Sequence, residues 1–240
     1  MSDLRNTPLL ENLKKKMNTG VIPRVDPIAQ YRIQDVNVNS FFAIGRFESK
    51  GHILDYQLHL MLLQKVGVMN YNISITDETT GEFYSDDQIY PFDVCTFEIE
   101  GEGEDAKQII KVPGGCMIGN AQQAHWEGIM PHGKVVVDLT GYGYAVYNAG
   151  GGIFNSCMKD EVFRQYSLPT MRTTGVLTIG EEDYPVEGIS WMDRQWQQQA
   201  ENSDLMNAKW NWLWMDINLD NGDVISLWDM NSVTRDYNYA

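Results

Sequence analysis

The segment GISWMDRQWQ at residues 188–197 holds the residue types in this chain that are best suited to chemistry. Two tryptophans, Trp191 and Trp196, flank the adjacent pair Asp193 and Arg194. A carboxyl group in an apolar wall has a raised pKa because desolvation disfavours its charged form, and it can then donate a proton near neutral pH. An ion pair with Arg194 would keep Asp193 ionised, although adjacent strand residues point to opposite faces of a sheet. The segment is therefore either a structural corner of a β-protein or a proton-transfer site.

A second segment concentrates tryptophan further along the chain. Six of the seven tryptophans lie within residues 191–228. Trp210, Trp212 and Trp214 alternate, so a strand places all three on one face together with Asp216. This face is either the aromatic core of a strand that is buried on both sides, or the wall of an indole-lined cavity with Asp216 as its polar group. Indole faces stabilise a passing cationic centre, which gives the second interpretation a chemical use.

Other signatures of catalysis do not occur in the sequence. It contains no G-x-S-x-G elbow and no Walker A run. The histidines at positions 52, 59, 125 and 132 show neither H-x-x-H nor H-E-x-x-H spacing, so we expect no metal site and no cofactor. His59 is interpreted first as a half-buried or cavity-facing side chain. The glutamates at 100, 102 and 104 indicate a solvated hairpin face.

The charge and the cysteines limit the partners and the compartment. A net charge of −15 and a pI of about 4.5 oppose binding to nucleic acid and to anionic membrane surfaces. No run approaches the roughly 18 apolar residues of an integral membrane segment, and the first 20 residues lack the apolar core of a signal peptide. The cysteines at 95, 116 and 157 are odd in number and widely spaced, which favours free thiols and the cytoplasm.

The elements that position these residues are predicted to be strands after one short helix. Thr7-Pro8 and the apolar side chains at 9, 10, 13 and 17 predict that helix. From about residue 38 the hydrophobic period changes to 2, and LDYQLHLMLL places residues 54, 56, 58, 60 and 62 on one face. Turns are predicted at Glu78–Gly81, near Gly103 and at Asp220-Asn221-Gly222, where Asn-Gly favours a type I′ turn. The pattern predicts an all-β chain built as a barrel or sandwich.

The order of these segments resembles the CrtC/AttH-like lipocalin family, which includes carotenoid 1,2-hydratases and, more remotely, fungal Diels–Alderases and kievitone hydratase. The resemblance is carried by the stretches 39–64, 75–84, 166–196 and 210–225. The most specific part is G-x-x-W-M-D-x-x-W from Gly188 to Trp196, followed by W-x-W and the D-N-G hairpin. The first stretch departs from the family, since it has Phe41 and Phe42 where Trp-rich aromatics are usual.

The resemblance implies two lipocalin-like antiparallel β-barrels that pack together and hold an apolar ligand in a barrel or between the barrels. We expect a helical segment at residues 1–30, a first barrel at 31–170 and the start of a second barrel at 171–240. The second barrel is incomplete, and a half-barrel leaves an unpaired strand edge. Either the chain continues beyond this sequence, or a homo-oligomer or strand exchange supplies the missing strands, which we favour.

The resemblance also points by position to residues of proton chemistry. Polar residues of this motif are implicated in the family's hydratases, which corresponds here to Asp193, Arg194 and Trp196. Family members often have histidine where this chain has Arg194, and arginine does not give up its proton at working pH. We therefore expect Arg194 to hold a carboxylate or to orient a substrate carbonyl.

Two functions remain open from the sequence. The first is a cofactor-free enzyme that hydrates, isomerises or cyclises an apolar isoprenoid, polyketide or steroid-like molecule. Its candidate catalytic residues are Asp193, Arg194 and Asp216, and its candidate ligand-binding residues are Tyr56, His59, Trp191, Trp196, Trp210, Trp212 and Trp214. The second is a lipocalin-type carrier of a hydrophobic small molecule, in which these residues only anchor the ligand.

Overall fold

The computed structural model describes residues 7–14, 24–154, 162–198, 210–232 and 238–239. Within these ranges a short helix, α1 (Leu9–Lys14), precedes a series of strands. The strands are β1 (Val38–Ser49), β2 (His52–Leu63), β3 (Val68–Asp77), β4 (Glu82–Pro91), β5 (Thr96–Glu100), β6 (Lys107–Val112), β7 (Gly115–Gly119), β8 (Gln123–Met130), β9 (Gly133–Gly141), β10 (Val146–Tyr147), β11 (Ile153–Phe154), β12 (Val162–Ile179), β13 (Glu182–Gln198), β14 (Trp210–Asn218), β15 (Val224–Ser232) and β16 (Asn238–Tyr239).

Most of the strands belong to one large antiparallel sheet. Its hydrogen-bonded order is β4-β3-β2-β1-β13-β12-β9-β8-β7-β6-β5, and β10 and β11 pair with β12. The sheet curls until β3 and β4 approach β8, where the Tyr71 hydroxyl donates to the Glu127 carbonyl at 2.6 Å and Gln88 Nε2 donates to the Ile129 carbonyl at 2.8 Å. A separate small sheet has the order β14-β15-β16.

The inner side of the curled sheet holds the hydrophobic core. Strand β2 alternates as its period predicts, and it buries Leu54, Tyr56, Leu58, Leu60 and Leu62. Each fully buried side chain of this size contributes about 1.5–3 kcal/mol. They pack in one cluster with buried residues of the strands across the barrel, among them Trp126, Val135 and Val137.

Gly188, the first residue of the G-x-x-W-M-D motif, lies against the Phe47 ring of this core. A Cβ at Gly188 would lie 3.0 Å from the Phe47 ring. That ring stacks on Tyr56 with 5.9 Å between centroids and 2° between planes. A side chain at position 188 would require the Phe47 ring to shift by a few tenths of an ångström, so the glycine of the motif fits closely against this ring.

The small sheet packs on the outer side of the large sheet through Trp214. The Trp214 ring meets Phe42 of β1 edge-on at 5.3 Å between centroids, and it meets Trp191 of β13 at 6.4 Å. Phe42 and Trp191 point outward because their strand neighbours Phe41 and Met192 belong to the inner core. The outer face of β1 and β13 is therefore enclosed between two sheets.

The prediction of an antiparallel all-β fold with a short N-terminal helix is confirmed. The turns predicted at 78–81 and near Gly103 lie between β3 and β4 and between β5 and β6. Leu9 of α1 is buried as expected, and position 17 lies outside the described residues. Strand β12 spans residue 170, and the division of the chain into domains at that residue stays a prediction. In the described ranges, no helix has the length and apolar character that crossing a membrane requires.

The predicted type I′ turn is wrong, although its hairpin forms. Strands β14 and β15 pair, and residues 219–223 connect them. A type I′ turn needs positive φ at both central residues, but only Gly222, at 82°, has it. The Gly222 N–H donates to the Leu219 carbonyl at 2.8 Å, and Asn221 Oδ1 accepts the Asp223 N–H at 2.9 Å. The asparagine side chain thus bonds the backbone ahead of it and holds a longer turn.

Candidate functional site

Strand β13 pairs with β1 on one side and with β12 on the other, and both of its faces are buried around the W-M-D-R segment. Alternation sends Trp191 and Asp193 to the outer face, under the small sheet, and Met192, Arg194 and Trp196 to the inner face. Asp193 and Arg194 therefore point to opposite sides of the sheet, and the structure gives their side chains separate sets of partners.

Two N–H donors hold the carboxylate of Asp193. Trp191 Nε1 donates to Oδ1 at 2.7 Å, and Gln165 Nε2 donates to Oδ2 at 3.1 Å. The W-x-D spacing explains the first bond, because residues two apart share one face of a strand. Gln165 reaches Asp193 from β12, where Ser167 lies directly opposite Asp193. Asp193 is only 8% exposed.

The pKa of Asp193 is raised to about 7. Burial is the largest cause, and the nearby carboxylate of Asp216 raises the pKa further. The Ser167 hydroxyl and the donors Trp191 and Gln165 favour the charged form and limit the shift. A carboxyl group with this pKa populates both protonation states near neutral pH, which is the condition for giving and retaking a proton.

The small sheet brings a second carboxyl group to the same space. Asp216 follows Trp214 by two residues on β14, and burial raises the pKa of Asp216 as well. Trp228 pairs with Trp214 in register, and their rings lie 6.2 Å apart. Asp193 and Asp216 thus share an aromatic environment between the two sheets.

Two buried polar atoms near Asp193, Gln165 Oε1 and Trp214 Nε1, have no hydrogen-bond partner in the part of the chain that the structure describes. Buried polar groups are nearly always paired, and an unpaired one costs about 1–3 kcal/mol. The amide oxygen can accept a hydrogen bond, and the indole N–H can donate one. The arrangement suits a hydroxyl, a carbonyl or a water molecule beside Asp193.

His59 lies on the same outer face, beyond Phe42. Register places Asp193, Phe42 and His59 side by side on β13, β1 and β2, about 10 Å from the first residue to the third at the usual strand spacing. The Phe42 ring meets His59 edge-on at 5.4 Å, and Ser40 Oγ lies 2.8 Å from His59 Nε2. Burial lowers the pKa of His59 to about 4, against the opposing effect of Asp87, so the imidazole is neutral at neutral pH.

An open groove continues this outer face along β1 to β4. It has a volume of about 380 Å³ and includes Ile44, which lies directly opposite Trp191. Its lining mixes apolar with polar side chains, among them Phe83, Gln57 and Asn72. Neither Trp191 nor Asp193 lines this groove, and both are buried.

Arg194 lies on the inner face, and its guanidinium N–H groups donate to oxygen atoms of the protein. Its guanidinium, on a residue 1% exposed, lies over the rings of Phe41 and Trp196 at 4.2 and 5.0 Å. Burial lowers the pKa of Arg194 to about 10, which keeps it charged at neutral pH. Five N–H bonds go to four backbone carbonyls and one side-chain oxygen, those of Tyr31, Arg32, Ser40, Gln195 and Asn39. This geometry ties the segment before β1 to the barrel.

The remaining candidates divide between the two faces. Tyr56 is buried in the inner core and shares a 2.8 Å hydrogen bond with Ser190 Oγ. Trp196 is also buried there, against Tyr166. Trp210 and Trp212 begin β14, but their side chains lie outside the described part of the structure. The structure thus brings Asp193, Asp216, Trp191, Trp214 and His59 to one side, and it separates them from Arg194, Trp196 and Tyr56.

Three neighbours of Asp193 were not anticipated from the sequence: Phe42, Gln165 and Ser167. Gln165 and Ser167 alternate in VFRQYSLPT and face the W-M-D strand once β12 and β13 pair. Polar residues inside an otherwise apolar strand were a signal that could have found them. Their proximity to Asp193 depends on a register that the sequence alone does not specify.

Comparisons with known proteins agree with this architecture. Residues 122–240 match the AttH family, described as AttH-like. Dehydratase asqC from Emericella nidulans is 29% identical over 103 residues, which are 40% of this chain and 27% of that protein. The chain therefore spans well under half of this curated relative.

Solved structures share the fold at low sequence identity. An AttH-type protein from Nitrosomonas europaea has a TM-score of 0.72 and 16% identity, over 91% of this chain and 68% of that one. Kievitone hydratase from Nectria haematococca has a TM-score of 0.57 and 14% identity, over 96% and 82%. CghA, solved with Sch210972, has a TM-score of 0.53 and 9% identity, over 82% and 54%. The lipocalin-like fold predicted from the sequence is confirmed, and residues 122–240, which contain the W-M-D motif, identify the resemblance as one to the AttH-like family.

Proposed function

We propose that this protein is an enzyme that adds water to, or removes water from, a hydrophobic small molecule, with Asp193 as the acid. The observation that carries the proposal is a buried carboxyl group with a pKa of about 7, held by Trp191 and Gln165 and enclosed by aromatic rings. The names of two similar proteins, a hydratase and a dehydratase, support this reaction class. Isomerisation and cyclisation begin with the same protonation and are the alternative reactions for this site.

The hydration follows from the positions of the two carboxyl groups. Protonated Asp193 gives its proton to one alkene carbon, and the adjacent carbon becomes cationic. The faces of Trp191 and Trp214 stabilise this charge. Water attacks the cationic carbon and loses a proton to Asp216, which leaves an alcohol. Asp216 then releases this proton to solvent, and Asp193 takes one up from solvent. Dehydration is the reverse sequence. Neither direction transfers electrons between separate donors and acceptors, so the reaction requires no redox cofactor.

The substrate proposed is an apolar isoprenoid, polyketide or steroid-like molecule with one polar group. Its apolar part would lie against Phe42, Trp191 and Trp214, and its polar group would meet the unpaired atoms Gln165 Oε1 and Trp214 Nε1. Neutral His59 would contact a more distant part of an extended molecule. The inner-face residues Arg194, Trp196 and Tyr56 would support the strand that carries Asp193.

The test is to incubate the purified protein with polyenes and with the matching alcohols in heavy-oxygen water and to detect products by mass spectrometry. We expect incorporation of labelled oxygen into an alcohol, lost in Asp193→Asn and strongly reduced in Asp216→Asn. Asp220→Asn, in the exposed hairpin turn, is the matched control and should retain turnover. Turnover that survives both Asp193→Asn and Asp216→Asn would refute acid catalysis by this pair. Stoichiometric uptake without product would favour the carrier.

We further propose that a second copy of this chain covers the free face of the small sheet. That face exposes Leu213, Met215, Ile225 and Leu227, which are 39–54% exposed. A contiguous apolar patch of this kind marks an interaction surface. Light scattering should give a dimer, and Leu213→Glu should give a monomer; a wild-type monomer would contradict this assembly.

The proposed compartment is the cytoplasm. Cys95 and Cys116 are free thiols in the structure, and free thiols are usual where the surroundings are reducing. Fractionation of cells that express the natural gene would test this assignment, which would be wrong if the protein were found outside the cytosolic fraction.

A further inference from the structure

A cluster of metal-ligating side chains lies on the outer face of β7 and β8, far along the sheet from Asp193. Cys116 Sγ, a ring nitrogen of His125 and a carboxylate oxygen of Glu127 all lie within 4.8 Å of one another. All three residues point away from the core, since their strand neighbours Met117, Ala124 and Trp126 are buried in it. Each of the three is half-buried, so its side chain can still adjust.

The strand register produces this cluster. Cys116 pairs directly with Glu127 across β7 and β8. His125 precedes Glu127 by two residues on β8 and therefore shares its face. Two ligands on one strand and a third on its neighbour occupy three corners, one face, of a tetrahedron around a point above the sheet.

A second contact orients the histidine for coordination. His125 Nδ1 lies 2.8 Å from Asp138 Oδ1, and the two residues pair directly across β8 and β9. A carboxylate that accepts the Nδ1 proton leaves Nε2 as a lone-pair donor, which is the usual arrangement behind a metal-binding histidine. Lys134 Nζ lies 2.5 Å from Glu127 Oε1, so one carboxylate oxygen is occupied and the other is available for single-oxygen coordination.

We infer that Cys116, His125 and Glu127 bind a zinc ion, with Asp138 orienting His125 from behind. A thiolate, an imidazole and a carboxylate are all zinc ligands, at about 2.0–2.3 Å from the metal. Tetrahedral geometry at these lengths places ligand atoms about 3.3–3.7 Å apart, so small side-chain rotations close the cluster on the ion. Three protein ligands leave the fourth position to water or to a bound molecule. A groove of about 220 Å³ lined by His125 and Asp138 lies beside it.

The same residues would also fit a nucleophilic Cys–His–Asp triad, but the charges argue against it. Such a triad needs a stabilised thiolate. Glu127 pairs directly with Cys116 across β7 and β8, so its carboxylate would repel a free thiolate. A divalent cation between the thiolate and the carboxylate removes this repulsion, whereas a free nucleophile would retain it.

Titration of the metal-free full chain with Co²⁺ tests the site. We expect one Co²⁺ per chain with the near-ultraviolet charge-transfer absorption of a cobalt–thiolate bond, and displacement by Zn²⁺. Cys116→Ser should abolish this absorption, and the matched control Cys95→Ser should keep it. Absence of the absorption in the wild-type chain, or its persistence in Cys116→Ser, would overturn the inference.

Two further measurements do not depend on the cysteine variant. Asp138→Asn should weaken Zn²⁺ binding about 10–100-fold while the circular dichroism stays unchanged, and unchanged affinity would remove Asp138 from the site. In the wild-type chain, Zn²⁺ should protect Cys116 from alkylation by iodoacetamide. Rapid alkylation at the same rate with and without Zn²⁺ would indicate a reactive thiol and would overturn the zinc site.

Discussion

Trp191 and Asp193 are joined by a 2.7 Å hydrogen bond from the indole Nε1 to Oδ1, two residues apart on one face of β13. The bond gives the W-x-D spacing a physical meaning. It fixes the carboxylate in a buried aromatic environment, and it stabilises the charged form that remains after a proton has been given away. Arg194, the next residue, faces the other side of the sheet and contributes to the fold.

Replacing Trp191, which donates a hydrogen bond to Asp193, should change the pKa of Asp193 while leaving the carboxyl group in place. Trp191→Phe keeps an aromatic ring but loses the N–H, so the charged form of Asp193 is less stable. Because a hydrogen bond to a charged group is worth about 1.5–3 kcal/mol, the pKa of Asp193 should rise from about 7 to about 8 or above. Carbon NMR of the labelled carboxyl group measures it. Trp196→Phe, on the inner face, is the control and should leave this pKa in place; an equal shift in both variants would mean that the hydrogen bond is not its cause.

The buried carboxyl should also set a pH dependence of stability. Its pKa is about 7 in the folded chain and about 3.9 when unfolded, so the folded state binds the proton more tightly. The stabilisation is complete below pH 4 and is lost as the pH rises through 7. Between pH 4 and pH 8 the free energy of unfolding of the wild type should fall by up to about 4 kcal/mol from this cause. Asp193→Asn has no such proton to lose, so its free energy of unfolding should not show this fall. Urea denaturation at several pH values measures this, and two parallel curves would contradict it.

His59 should produce the opposite dependence. Burial lowers its pKa to about 4, whereas the unfolded value is about 6.5, so the folded state binds the proton less tightly. Stability is fully present above pH 6.5 and should fall as the pH drops toward 4. His59→Gln keeps a hydrogen-bonding group and should flatten this part of the curve. His132→Gln, at an exposed turn position, should not; if it flattens the curve equally, His59 is not the origin.

Arg194 should be required for stability. Lysine in its place offers three donors where five bonds now exist, and it has no planar fork. We expect Arg194→Lys to lower the free energy of unfolding by about 3 kcal/mol or more. The control is Arg46→Lys, an exposed partner of Glu78, which should cost far less because water screens the pair. Denaturant unfolding of both variants measures the difference, and equal costs would show that the buried bonds do not set the stability.

The sequence by itself determined the class of fold and the family resemblance. Apolar residues at period 2 from Leu54 to Leu62 specified a strand with one buried face, and the Trp191-x-Asp193 spacing placed both side chains on one side of a strand. These conclusions were available because they depend only on local geometry, in which successive side chains alternate.

Tertiary structure decided which of the candidates meet. Gln165 and Ser167 reach Asp193 only through the pairing of β12 with β13, and Trp214 reaches Trp191 only when the small sheet packs on the large one. Cys116 and Glu127 lie apart in the sequence and likewise become neighbours only through strand register. A shift of one residue in register would send every side chain to the other face, and long-range packing, which local periodicity does not encode, selects between the alternatives.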